Sequence, residues 1–438
     1  MSARSAPGLV IALAIALAGV APGVRAQAAA PAAPLAATPP AESLAAMVAR
    51  VLSQDPAVRV QGALLQATDE RRRQAQSRLW PTVGVSSTRG SANVTEESLF
   101  GSNLPFDRRT DRTEASIRWN LYNFGNDAAE LRGASRDLAA ATEDMRRARE
   151  ETAERIGESY IELLRVQLVV PHSQRRLDAV RQLVQQVGRQ NQAGKVSDAD
   201  LQQAQASLLD AEVAHEQLLA DLVSARERLA TLTGSELREA VPVALPPPGA
   251  SVEARSGLVA AARERAQGAR ERVRPMVSLV APKVDLEYRQ RLADHTTPAS
   301  TTTERFGWTL SARWDFPVAG ENFARRAEGE RRAEAAEAEA ERVLRAAQSE
   351  LASLPPRIAQ SERAVAQIER QIAQYDALVR AGELQFEAGR RTLAQLVQLH
   401  DSRFNAEQRR VEQSHRLLQA RLRQLSLTGG LLPALNLE

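Results

Sequence analysis

The chain has 438 residues, with 57 Lys and Arg against 54 Asp and Glu, and a hydrophobic content of 43% of which little is aromatic. Near-neutrality excludes the strong basic field that nucleic-acid binding requires. Cysteine is absent, which excludes a disulfide framework, a thiolate metal site, a cysteine nucleophile and a lipid-modified N-terminal cysteine. Apolar content carried mainly by Ala and Leu favours long helices with thin seams over one bulky core.

At the N-terminus, Arg4 precedes an apolar run from Leu9 to Val20, and Val24-Arg25-Ala26 supplies small residues around a cleavage point. The run is too short to span a bilayer comfortably, so residues 1–26 read as a secretory signal peptide, the alternative being an uncleaved anchor. Loss of Arg4 and Arg25 leaves 55 basic against 54 acidic residues, an excess of +1. Residues 27–41 form an Ala/Pro-rich linker. No later segment holds 18 consecutive apolar residues, so a membrane crossing would have to use strands.

The remainder contains itself twice. Arg118-Trp119-Asn120-Leu121 resembles Arg313-Trp314-Asp315-Phe316 at an offset of 195 residues. Gln192-Ala193-Gly194-Lys195 and Glu387-Ala388-Gly389-Arg390 share that offset, as do Leu232-Thr233-Gly234 and Leu427-Thr428-Gly429. Arg78-Leu79-Trp80-Pro81 parallels Arg272-Val273-Arg274-Pro275 at 194. The repeats are placed at 42–240 and 252–430, joined by a Pro-rich linker at 241–251 and followed by a tail at 431–438.

Each copy opens with helix. Leu44, Met47, Val48, Val51 and Leu52 share one face, Asp55-Pro56 restarts the helix, and Trp80-Pro81 stops it. The second copy has one helix here, from about 252 to 273. Strands are expected at about 82–90 and 114–122, then at about 276–290 and 305–316. Phe306, Trp308, Leu310, Ala312, Trp314 and Phe316 alternate with polar or small residues over a length that suits a tilted membrane strand. Taken alone, this pattern fits a half-buried strand in a soluble sheet equally well; export and the scarcity of other strands favour a barrel. The polar connections Ser87–Thr113 and Arg291–Glu304 are expected to be loops.

Helices are expected next at about 126–192 and 197–232, then at about 322–386 and 392–427. Leu131, Ala134, Leu138, Ala141, Met145 and Ala148 alternate spacings of three and four, as do Val365, Ile368, Ile372, Tyr375 and Val379. Some 65 helical residues make a rod of roughly 100 Å, too long for a compact domain. Gly194 and Gly389 turn the chain back. Pro171 and Pro355-Pro356 are expected to kink their helices, at about 3 kcal/mol per interior proline.

Catalytic patterns are missing. His172, His215, His295, His400 and His415 form no His-Glu-x-x-His motif, and there is no phosphate-binding Gly-rich loop or Gly-x-Ser-x-Gly. The charge run Arg325 to Glu341 reads as a solvated helix face. No enzyme activity, cofactor or metal is expected.

This order of elements resembles the TolC-like outer-membrane efflux protein family over about residues 42–430. The resemblance is carried by the strand-to-helix junctions Trp119 to Gly125 and Trp314 to Gly320, and by the hairpin tips around Gly194 and Gly389. It implies a mainly α protein with a membrane β-barrel. A homotrimer would close twelve strands in outer-membrane lipid of a Gram-negative bacterium, continued by an α-helical periplasmic tunnel. It further implies the exit duct of a tripartite efflux pump or type I secretion system, docked to a periplasmic adaptor and an inner-membrane transporter. The alternative is a periplasmic coiled-coil adaptor of such a system. The resemblance places the periplasmic gate at Asp200, Arg391, Phe386, Gln395 and Gln398. Asp200 and Arg391 match a latch pair; Gln395 and Gln398 stand where acidic rings occur, and Phe386 where a tyrosine does. Adaptor contact is implied at the tips, Gly194, Lys195, Gly389 and Arg390, with Lys195 replacing a leucine.

Overall fold

The computed structural model describes residues 42–97, 103–246, 256–274, 282–295, 305–314 and 320–437. The expected signal peptide and first linker lie outside these residues, as do much of the second linker and the start of the second repeat's first strand. The elements in order are α1 (Leu44–Leu52), α2 (Pro56–Ser77), β1 (Thr82–Glu97), β2 (Asn103–Tyr122), α3 (Asn126–Gln192) and α4 (Asp198–Thr233). They continue with α5 (Gly257–Val273), β3 (Lys283–Asp294), β4 (Phe306–Arg313), α6 (Glu321–Glu387), α7 (Leu393–Leu427) and α8 (Leu431–Ala434).

Duplication is visible in the backbone. α3 and α6 are both 67 residues long. Both follow a left-handed glycine at the strand-to-helix junction, Gly125 at φ 79° and Gly320 at φ 73°. Both end alike: Lys195 N–H donates to the Gln190 carbonyl at 2.9 Å and Arg390 N–H to that of Gln385 at 2.8 Å. These bonds require the residue before them, Gly194 or Gly389, at φ 72° and 68°, where a Cβ would be strained. The returning helices are capped by Ser197 and Thr392 hydroxyls.

Pro171, Pro355 and Pro356 lie inside α3 and α6, and neither helix is interrupted. The lost backbone bonds are outweighed by packing on both sides: Val169 and Leu177 are buried around Pro171, and Leu354 and Ser361 around the proline pair.

The four strands form one antiparallel sheet in sequence order. β1 and β2 are longer than their hydrophobic pattern indicated, because most of the polar connection Ser87–Thr113 is itself ladder. Polar, charged and small residues dominate that stretch, so alternation carries little signal. Cross-strand polar pairs hold it instead, Arg89 with Asp111 at 2.6 Å and Asn93 with Asp107 at 3.1 Å. β3 is described from Lys283 and carries on to Asp294, into the second expected connection.

Away from the sheet, the main core joins α1, the middle of α3, the C-terminal ends of α4 and α7, and α8. Tyr160, fully buried, accepts the Val241 N–H at 2.7 Å, and its hydroxyl lies 3.0 Å from the Val241 carbonyl and 3.1 Å from that of Glu42. Gln167 exchanges two hydrogen bonds with the Ala240 backbone. α3 thereby fixes the chain as it leaves the first repeat. The repeats are clamped by Arg423 of α7, which reaches both Glu154 oxygens at 3.0 Å and Glu350 of α6 at 2.7 Å. Glu154 is buried. Arg423→Met would leave it without its cation, and a loss of about 2–3 kcal/mol is expected, readable as a lowered denaturant midpoint; Arg423→Lys should recover part of it.

Candidate functional site

The sheet has two chemically distinct faces. In register across it run Val83, Ile117, Tyr288 and Trp308, and beside them Trp119, Leu286 and Leu310. Trp308 of this face, and Phe306 two residues before it on the same side of β4, are well exposed in a single chain, at 72% and 71%. The opposite face carries Arg118, Glu287, Asn120 and Asp285, with Arg118 on Glu287 at 3.0 Å and Asn120 donating to Asp285 at 3.1 Å. The eight residues of β4 rise about 26 Å at ~3.3 Å each, close to the ~25 Å apolar band of a membrane barrel. β1 and β4 are edge strands, each with an unpaired row of backbone groups. Among the described residues the β2–β3 ladder runs no further than Arg112, while nine further β1–β2 pairs, Arg89–Asp111 to Glu97–Asn103, continue past it.

At the other end of the helices, the two tips share an apolar cluster of Leu183, Val187, Ala204, Phe386, Leu393 and Leu396. Phe386 is therefore a packing residue within the chain. The Asp200 carboxylate accepts the Ser197 hydroxyl at 2.7 Å, and the Asp200 N–H donates to the same hydroxyl at 3.2 Å, starting α4. Gln395 plays the corresponding part for α7, its side-chain oxygen accepting the Thr392 N–H at 3.3 Å. Gln398, Lys195 and Arg390 are exposed. Arg391 is half-buried and lies across Gly382, where an added Cβ would come within 2.8 Å of its guanidinium and of Leu399. Among the described residues Asp200 and Arg391 do not pair within one chain. In the first repeat the positions equivalent to Gly382 and Arg391 are Val187 and Val196, which pack on the shared cluster. A glycine and an arginine thus fill in one tip the space that two valines fill in the other.

The sequence reading missed the seam between α3 and α7. These antiparallel helices are joined by four polar rungs, two of them Arg–carboxylate pairs: Glu154–Arg423, Glu162–His415 at 3.5 Å, His172–Glu407 at 2.9 Å and Arg176–Asp401 at 2.8 Å. Around the third rung, Val169, Phe404 and Val411 form an apolar patch with Leu218, and Arg176 sits 5.4 Å from the Phe404 ring centre. Buried charges at seam positions were the available signal: Glu154 and Glu407 fall on apolar stripes of their helices.

Burial pushes the His415 imidazole below its ordinary pKa, Glu162 pulling the other way and Arg165 adding to the drop. Burial likewise lowers His400, against the attraction of Glu383, 3.6 Å away. Burial opposes the charge of Glu407, but His172, Arg403 and Arg175 together hold it below the usual carboxylate range. All three shifts have one sign: stability is full above the unfolded pKa, near 6.5 for histidine, and is lost as pH falls through the lower folded values. Hydrogen exchange along α7, corrected for intrinsic rates, is expected to accelerate between pH 7 and pH 5. His400→Gln with His415→Gln should flatten that rise.

The model of the family described as outer membrane efflux protein matches residues 47–235. Among curated proteins none matches. Solved structures share the fold. The outer membrane protein VceC of Vibrio cholerae is 17% identical, with a TM-score of 0.76 over 90% of this chain and 95% of that one. The MtrE outer membrane channel of Neisseria gonorrhoeae, in its open state, is 17% identical with a TM-score of 0.74 over 89% of both chains. The CmeC outer membrane channel of Campylobacter jejuni is 12% identical with a TM-score of 0.76 over 89% and 86%. At these identities the likeness is one of fold.

Proposed function

The chain resembles the outer membrane efflux proteins in the sequence of its first repeat and in the fold of both, and on that premise we propose that it is the exit duct of a tripartite efflux pump or type I secretion system. The observation that carries this reading is the two-faced sheet with open edges, continued by two hairpins of helices roughly 100 Å long. A sheet with a wet face and an apolar face suits a barrel wall. Four strands cannot close one, and unpaired edges are not tolerated in lipid; three copies supply twelve strands. The hairpins then descend into the periplasm, where an adaptor and an inner-membrane transporter meet the tips at Gly194, Lys195, Gly389 and Arg390. An adaptor role is not favoured, since it leaves the apolar face of the sheet without a purpose. No step of chemistry is assigned to the chain.

A heat-resistant trimer in outer-membrane fractions is expected; a stable soluble monomer by native mass measurement would contradict it. An epitope tag beside Asn93, on the β1–β2 hairpin, should be labelled on intact cells; labelling only after permeabilisation would reverse the orientation.

The gate reading concerns neighbouring copies. With Asp200 engaged on Ser197 and Arg391 laid over Gly382, a latch between them would form across subunits. Asp200→Ala and Arg391→Ala should leave the trimer intact and raise resting conductance in planar bilayers. Gly382→Val, which displaces Arg391, should act like Arg391→Ala. Equal conductance in all three would remove the latch. Gln395 and Gln398 in place of carboxylates should give weak cation selectivity and little block by trivalent cations.

A further inference from the structure

Where the two repeats meet, α3, α5, α6 and α7 surround a cavity of about 130 Å³. Its charged walls are almost fully accounted for. Arg423 holds Glu154 and Glu350, Arg147 holds Glu151 at 2.7 Å, and Arg146 stands 3.6 Å from Glu143 and 3.5 Å from the Gly429 carbonyl. Glu150 is left over. It is 4% exposed; Oε1 accepts a long 3.4 Å bond from the Leu432 N–H of α8, and Oε2, fully buried, has no partner. A buried carboxylate without a counter-ion is costly to keep charged. Burial accordingly pushes its pKa up to about 7, against the Leu432 and Leu431 N–H groups and the attraction of Arg146 and Arg149.

We propose that this cavity binds a small monovalent cation, held by the Glu150 carboxylate and exchanging with a proton. Four carboxylates in the wall, Glu150, Glu151, Glu154 and Glu350, face three arginines, Arg146, Arg147 and Arg423, so one positive charge neutralises the wall and the arginines oppose a second. A divalent ion would need more carboxylate or imidazole ligands; among the described residues there is no cluster of three that could hold one. The space admits several water-sized bodies, which suits sodium, potassium or ammonium with part of its hydration shell. Ser256, which lines the cavity and makes no capping bond at the start of α5, offers a hydroxyl oxygen. Because Glu150 also touches the backbone of α8, an occupied site ties the C-terminal segment to the junction of the repeats. The proposal rests on the fold and is independent of the conduit reading.

The test is thermal unfolding of the purified full-length protein in detergent at pH 8, at equal ionic strength in sodium, potassium, ammonium or choline chloride. At least one small cation should raise the midpoint by about 2 °C or more over choline. The rise should shrink at pH 6, where the proton takes its place. It should vanish in Glu150→Gln and persist in Glu151→Gln. Equal midpoints in all four salts at pH 8 would overturn the proposal, as would a Glu150→Gln variant that keeps the salt-specific rise. If Glu150→Gln does not fold, the unmodified protein decides: a rise of the same size at pH 6 and pH 8 overturns the site.

Discussion

The helical part of the molecule depends on how α3 and α7 hold each other. The repeats also meet where α5 lies along the first part of α3, with Arg136 on Glu264 and Arg272 on Glu130. At the α3–α7 seam the two hairpins are joined over the middle of α3, by polar rungs set beside apolar core. Ion pairs between helices are directional and tolerate little slippage, whereas an Ala and Leu seam could slide by a turn at small cost. The rungs fix the register of one repeat against the other. Burying them is expensive, which accounts for the lowered pKa of His415 in the second rung; the apolar patch of Val169, Phe404 and Val411 sits among them.

Much of this architecture was legible from residue order. The offset of 195 emerges from short matches such as Leu232-Thr233-Gly234 and Leu427-Thr428-Gly429, because turns and caps demand particular residues at particular places. The apolar strands were legible for the same reason: Phe306, Trp308 and Leu310 must share a side. What escaped the sequence had no periodic imprint. The outer part of β1 and β2 is mostly polar, charged or small, so period two fades while the hydrogen bonds remain. The prolines look disruptive in isolation, yet the helix around them is held by neighbours that local sequence does not reveal. At the candidate gate, the identities of Asp200 and Arg391 were legible, but not that Gly382 makes a seat for the guanidinium.

That seat gives the two tips different mechanical character. The first is closed by Val187 and Val196, whose contacts are short-ranged and apolar. The second keeps a cation folded over a glycine, where it remains half in water. An arginine stem can swing away without opening a large void, whereas displaced valines leave an apolar cavity. Movement at the tip is therefore cheaper on the second hairpin than on the first.

The equal length of α3 and α6 has a consequence for how such a chain can change over time. One added residue advances a helix by about 1.5 Å and turns everything beyond it by about 100°. An insertion in α3 alone would rotate the first tip out of phase with the second and take Leu183 and Val187 off Phe386 and Leu396. The same insertion in both helices would preserve the mutual phase of the tips, yet it would still have to be answered in α4 and α7 to keep the polar rungs aligned. Length in this molecule is thus a shared quantity, altered in all four long helices together or not at all.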